Sequence, residues 1–191
     1  CGRDLSQFAL WWSQAGTPRL RVEDAWDGET LSVTLRQETP PTPGQPEKRP
    51  FHMPVALAVL GPDGTERVAP RVVELREAEE TLGFAIGALA APDGSAPARP
   101  VLSVNRGFSA PVILERDASD AEDAFLLAHD TDPFNRWEAG HRYALRIARA
   151  VSEEAAEVPE PWVAALGRVL GDAALDPAFR ALALELPGQD E

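Results

Sequence analysis

Apolar residues in this chain of 191 residues alternate with polar ones as far as Arg116, and after Ser119 they recur at helical spacing. A period of two sends successive side chains to opposite faces of a strand, and a period near 3.6 gathers them on one stripe of a helix. The chain must therefore fold as a β unit followed by an α unit, with a short connection between them. The fold class expected is mainly β with C-terminal α: an antiparallel Ig-like β-sandwich, then a truncated helical region of stacked helix pairs. Arg106–Trp137, which carries the last strand and the first helix starts, is the stretch that joins the two.

In the β part, Arg19–Asp24 places Leu20 and Val22 on one face, and Thr30–Arg36 does the same with Leu31, Val33 and Leu35. Asp27-Gly28 lies between them as a hairpin signal, because glycine tolerates positive φ. Thr39–Pro50 holds five prolines and reads as an extended connection outside any sheet. Pro54–Leu60 is apolar on both faces, as a central strand is, and Gly61–Gly64 closes it as a turn. Val72–Arg76, Leu82–Gly87, Val101–Val104 and Pro111–Arg116 complete about seven strands with no helix between them, the pattern of a sandwich of roughly 100 residues. Ala91–Pro100 reads as a loop and Glu77–Glu80 as an acidic turn.

Helical segments are expected at both ends. Asp4–Gln14 has an Asp4/Gln7 capping-box spacing and an apolar stripe of Leu5, Phe8, Ala9 and Trp12, with Trp11 off that stripe. Ser119 and Glu122 form a second capping box. Asp132 caps a helix that starts at Pro133 and presents Phe134, Trp137, His141, Ala144, Leu145 and Ala148 on one face. Pro161 opens a third helix, with Trp162, Leu166, Val169 and Leu170. Asp176-Pro177 opens a fourth, with Phe179, Leu182 and Leu186.

The formal charge of −13 opposes binding to nucleic acid or to an anionic membrane surface, since the phosphates would repel it. No apolar run approaches the roughly 20 residues that span a bilayer. Cys1 is the only cysteine, so no intrachain disulfide can form, and together with the acidic composition this gives a cytoplasmic expectation. Cys1–Gly16 lacks the basic and apolar regions of a signal peptide, and the first residue is not Met; we expect a segment of a longer protein.

Catalytic chemistry finds few candidates. His52, His129 and His141 do not pair at the close helical spacing of a zinc site. His129 with Asp130 and Asp132 is read as a helix end and the next cap rather than a metal site, and His141 as a packed residue on an apolar face. Asp117, Asp120, Glu122 and Asp123 lack the alternation and central glycine of a calcium loop and suit a helix N-terminus. Ser103, Ser109 and Ser119 have no nucleophile elbow around them, and Gly61–Gly64 lacks the Lys-Ser/Thr of a phosphate loop. Trp11, Trp12, Trp26, Trp137 and Trp162 could line a sugar platform, but core or interdomain packing fits them better. The expected catalytic, cofactor-binding and metal residues are therefore none.

Four stretches carry a family resemblance: DLSQFALWWSQAGTPRLRV, TPPTPGQPEKRPFHMPVALAVLGPDG, FSAPVILE and HDTDPFNRWEAG. In this order they resemble bacterial aminopeptidase N, a family of zinc-dependent aminopeptidases. The resemblance implies that residues 1–16 are the tail helix of the catalytic domain, 17–117 the Ig-like sandwich, and 118–191 the first helices of a C-terminal helical domain. The family's His-Glu-x-x-His zinc motif is absent, and so is its Gly-x-Met-Glu-Asn motif, Met53 being the one methionine. The expectation is then a non-catalytic spacer of a metalloprotease that hydrolyses N-terminal residues from peptides, with zinc in the parent and no cofactor here. Its partners would be the catalytic and remaining helical domains of the same chain, and peptide substrates through them. The alternative is a stand-alone sandwich module that binds a protein or a carbohydrate.

Overall fold

Alternation along the first strands is realised as a two-sheet sandwich in the computed structural model, which describes residue 2 and residues 4–90, 98–154 and 156–188. The chain divides into two compact units, Cys1–Asp117 and Ala118–Glu191. In the first unit, the strands are β1 (Arg19–Trp26), β2 (Thr30–Glu38), β3 (Met53–Leu60), β4 (Glu66–Leu75), β5 (Glu79–Ala85), β6 (Val101–Val104) and β7 (Ile113–Glu115). One sheet has the order β5-β2-β1-β7 and the other β4-β3-β6. Pairings are antiparallel except for β1 with β7, which run parallel with Arg19 opposite Ile113 and Arg21 opposite Glu115.

The two inner faces meet in one core. Leu20, Leu31, Val33, Leu35, Val55 and Leu57 are inaccessible to solvent there, from the faces that the period of two assigns inward. β3 is central in its sheet and buried on both faces over Leu57–Leu60, as its unbroken apolar run requires. Gly28 has φ 106° in the β1–β2 hairpin, where Asp27 accepts the N–H groups of Glu29 and Thr30. β4 and β5 are longer than the sequence pattern gives: Glu79 and Glu80 belong to β5, paired with Arg36 and Leu35, so the acidic turn is shorter. Most of the expected loop Ala91–Pro100, residues 91–97, lies outside the described residues.

The N-terminal helix contracts to α1 (Leu10–Ser13). Asp4 and Gln7 form no capping box: Asp4 accepts the Ser6 N–H, and the Gln7 amide donates to the Pro50 and Arg76 carbonyls. Its inward face is also different. Leu10 is buried and Trp11 stacks on Phe51, whereas Leu5 and Trp12 face solvent. Tertiary hydrogen bonds to the proline-rich segment fix this rotation, and they outweigh the local apolar stripe.

In the second unit, α2 (Asp120–His129) starts at the Ser119–Glu122 capping box, with both reciprocal bonds made. The other helices are α3 (Pro133–Glu154), α4 (Glu160–Gly171) and α5 (Pro177–Ala183). Asp132 accepts the Asn135 N–H at the start of α3, and Asp176 those of Ala178 and Phe179 at the start of α5. Leu127, Tyr143, Ala144, Trp162, Ala165 and Val169 form the core.

The expected apolar face is displaced on α3 and only partly realised on α4 and α5, where Trp162 and Val169 are buried and Leu166 and Phe179 pack against the core as expected. On α3 the buried residues are Asn135, Arg136, Ala139, Gly140, Tyr143 and Ala144, leaving Phe134, Trp137, His141 and Leu145 half-buried and Ala148 exposed. On α4, Ala165 is buried and Leu170 exposed; on α5, Ala183 is buried while Leu182 and Leu186, beyond its end, are exposed. For α3 the physical reason is a polar interface. Arg136 turns inward because its guanidinium meets the end of α2, and the apolar stripe beside it is carried outward.

Candidate functional site

The α2–α3 junction gathers several of the second unit's ionisable groups. α2 brings Asp120 and Asp123 to the face that meets α3, and α3 brings Arg142 and Arg146 at the four-residue spacing that puts them on one side of a helix. Asp123 is fully buried; its Oδ1 accepts Arg142 Nη2 at 2.7 Å and its Oδ2 accepts Arg146 Nη2 at 2.8 Å. Arg146 Nε also donates to Asp120 at 2.8 Å. Burial alone would lower the Arg146 guanidinium, but hydrogen bonds to Asp123 and Asp120 outweigh it and hold its pKa above the ordinary range. Beside this cluster lies Tyr143, edge-on to Trp162 with ring centres 5.3 Å apart. Burial, followed by the Asp120 charge, raises its phenol pKa.

Arg136 is the second junction group. Its Nε donates to the Leu127 carbonyl at 2.7 Å and Nη2 to the Ala128 carbonyl at 2.9 Å, filling the acceptors that a helix leaves open at its C-terminal end. Burial lowers its pKa, opposed by the charges of Asp172 and Asp130. His129, Asp130, Arg136, Arg168, Asp172 and Phe179 line a cleft of about 420 Å³ at this point. Its charges are largely internal, since Arg136 sits 3.8 Å from Asp172 and Asp130 accepts the Asp132 N–H. Such an arrangement locks two helices together.

A zinc ion needs three or more His, Cys or carboxylate donors converging on one point. Among the described residues no such group exists. His52 pairs with Glu74 at 3.0 Å, His129 stacks on Phe125, and His141 stacks on Trp137. The described residues therefore offer no donor set for the metal.

The serines are equally committed. Ser103 is buried in β6, Ser109 Oγ accepts the Ala56 N–H and donates to Asn105, and Ser119 caps α2. Within the acidic run, Glu122 belongs to the capping box, Asp120 and Asp123 to the arginine pair, and Asp117 lies on a separate exposed stretch. Trp11, Trp26 and Trp162 pack in or against the cores. Trp12 is 78% exposed, contrary to the expectation of packing. The acidic run by itself does not reveal the Asp123 clamp, nor does the apolar periodicity of α3 reveal the Arg136 cap. The available signal was the spacing of Arg142 and Arg146, which presents two cations to one carboxylate on a neighbouring helix.

A sandwich followed by paired helices defines the class, and comparison places the chain within it. Residues 16–117 match a family described as a domain of unknown function (DUF3458) with an Ig-like fold, and residues 120–191 match DUF3458_C, described as ARM repeats; the chain belongs to this family. It is homologous to a segment of bacterial aminopeptidase N. Identity is 43% over 194 residues to aminopeptidase N of Caulobacter vibrioides, covering 100% of this chain and 21% of that protein. It is 34% to aminopeptidase N of Escherichia coli and 31% to that of Haemophilus influenzae, each covering 98% of this chain and 22% of the relative. The chain thus spans about a fifth of the length of the curated relatives it matches. The crystal structure of Legionella pneumophila aminopeptidase A in complex with aspartic acid shares the fold, with a TM-score of 0.79 at 24% identity over 98% of this chain and 20% of that one.

Proposed function

We propose that this chain is a non-catalytic structural segment of a zinc-dependent aminopeptidase N, a hydrolase that removes N-terminal amino acids from peptides. Residues 1–16 are the tail of the catalytic domain, 17–117 the sandwich, and 118–191 the first helices of the C-terminal helical domain. The observation that carries the reading is homology along the whole chain to about a fifth of aminopeptidase N. The side chains support it, because candidate nucleophiles and metal donors are engaged in caps, clamps and stacking. The segment acts as a spacer, and within its helical unit the Asp123 and Arg136 locks hold the first helices in register.

Zinc belongs to the catalytic domain of the longer protein, and the partners are that domain and the remaining helices. Peptide substrates are met through them. Nucleic acid and membrane play no part, in keeping with the charge of −13 and with the described residues, where no helix is long and apolar enough to cross a membrane. We place the longer protein in the cytoplasm.

The test is the reading frame upstream of Cys1, together with activity. A His-Glu-x-x-His motif with a further downstream Glu is expected. The longer product should hydrolyse an aminoacyl reporter in a zinc-dependent manner, and the 191-residue chain should not. Zinc-dependent hydrolysis by the short chain alone would overturn the reading.

A further inference from the structure

We propose that Lys48 is the pin of a latch that closes the joint at residues 15–18, so that α1 and the sandwich turn as one body. The latch is a property of this chain. Only the name of the domain to which the tail belongs rests on the reading in Proposed function.

Gly16 stands between a helix and a strand, where the residue with the most backbone freedom lets a chain bend. The proline-rich segment shuts that bend. Thr42 and Gln45 exchange backbone hydrogen bonds at 3.2 and 2.9 Å across Pro43 and Gly44, and Gly44 has φ 80°, as a type II turn requires of the residue after its proline. This turn brings the Thr42 hydroxyl and the Gln45 amide oxygen together in front of Lys48. The ammonium donates to Thr42 Oγ1 at 2.6 Å, to Gln45 Oε1 at 3.1 Å and to the Ala15 carbonyl at 2.8 Å. An ammonium has three donors, so all are used, and one of them crosses to the joint. Gln45 completes the crossing: its oxygen accepts the Ala15 N–H at 2.7 Å and its NH2 donates to the Ser13 carbonyl at 2.9 Å. Beside it, the Gln14 side chain and the Arg49 backbone exchange two hydrogen bonds, at 2.9 and 2.8 Å.

A hinge works through residues whose φ and ψ can change without loss of bonds. Here Ala15 gives both its N–H and its carbonyl to the proline-rich segment. Gly16 has φ 99°, and a Cβ there would lie 3.2 Å from the Thr39 methyl and 3.4 Å from that of Thr42. Pro18 is buried, and its carbonyl accepts the Ile113 N–H at 2.9 Å. Rotation at either end of the joint therefore breaks hydrogen bonds. Lys48 is the pin because one cation holds the turn's two oxygens and the joint's carbonyl at once. Residues 1–16 accordingly share a compact unit with the sandwich, and a domain joined to it through this tail is held in one orientation to it.

The experiment is amide exchange read by mass spectrometry on the 191-residue chain and its Lys48→Gln variant, which replaces the ammonium by a neutral amide. Amides of Leu10–Ala15 should exchange about tenfold faster in the variant, the scale of one hydrogen bond to a charged group. Those of β2 and β3 should stay protected. Unchanged exchange at Leu10–Ala15 overturns the latch. Faster exchange in β2 and β3 as well would make Lys48 a support of the whole sandwich, which also overturns it. A second measurement needs no variant, because Lys48 is the single lysine of the chain. Its acylation by acetic anhydride should run about tenfold slower in the folded chain than in urea, since its donors are engaged. Equal rates overturn the latch. Each readout is made on this chain alone, so an upstream reading frame without the zinc motif would overturn the proposed function and leave the latch standing.

Discussion

Asp123 of α2 and Arg142 of α3 are joined by a 2.7 Å ion pair whose carboxylate is closed to solvent and whose guanidinium is only partly so. This is the short arm of a clamp that closes on Arg146 at the other carboxylate oxygen. Asp123→Asn keeps the shape and removes the charge, leaving two guanidiniums facing a neutral amide. Both arginines retain some water contact, so the loss should be about 2–3 kcal/mol, below the ~3–5 kcal/mol of a fully buried broken pair. Urea unfolding followed through the near-ultraviolet signal of Trp162 and Tyr143 measures it. An unchanged midpoint would mean that the clamp contributes nothing to stability.

Arg136→Lys tests the cap on α2. A single ammonium cannot reproduce the planar fork that reaches the Leu127 and Ala128 carbonyls together. A loss of about 1–2 kcal/mol is expected, with faster amide exchange in the last turn of α2. Exchange that is faster in α4 but not in α2 would contradict the assignment.

The single tyrosine makes the second unit readable by titration. Burial and the Asp120 charge raise the Tyr143 pKa in the folded chain. The neutral phenol is the form that folding favours, so its contribution is complete below the unfolded value of about 10 and is lost as pH rises through the folded value. Tyrosinate absorbance should therefore appear later than in the urea-unfolded chain. Asp120→Asn should move the transition back toward the unfolded curve.

Asp27 gives the opposite sign. Bonds from the Thr30 and Glu29 N–H groups lower its pKa. Its contribution is present above the unfolded value of about 3.9 and is lost as pH falls through the folded one. Asp27→Asn should thus shrink the difference in stability of the sandwich between pH 7 and pH 3. An unchanged difference would show that the turn carboxylate is not linked to folding.

The parts of the fold legible in sequence are those decided locally. Leu31, Val33 and Leu35 point inward because a strand alternates, and Ser119 and Asp132 start helices because their oxygens take nearby N–H groups. The parts that were not legible depend on distant partners. Trp11 rather than Trp12 faces the core because glutamines at 7, 14 and 45 bond the backbone of segments far along the chain. The polar residues Asn135 and Arg136 occupy the inner face of α3 where apolar periodicity predicts Phe134 and Trp137. A buried guanidinium that satisfies another helix's carbonyls leaves no trace in a hydrophobic pattern. In sequence Asp123 fits a helix N-terminus through the dipole, and only the packing of α2 on α3 turns it into a clamp.

The parallel pairing of β1 with β7 bears on how tension passes through the molecule. Force applied to the start of β1 and to the end of β7 would draw the two strands past each other along their length. Their register, Arg19 with Ile113 through Arg21 with Glu115, would then be loaded in shear, all rungs at once, rather than peeled open one at a time. A sandwich loaded through these two strand ends gains stiffness from this geometry, because every rung must yield together before the strands part.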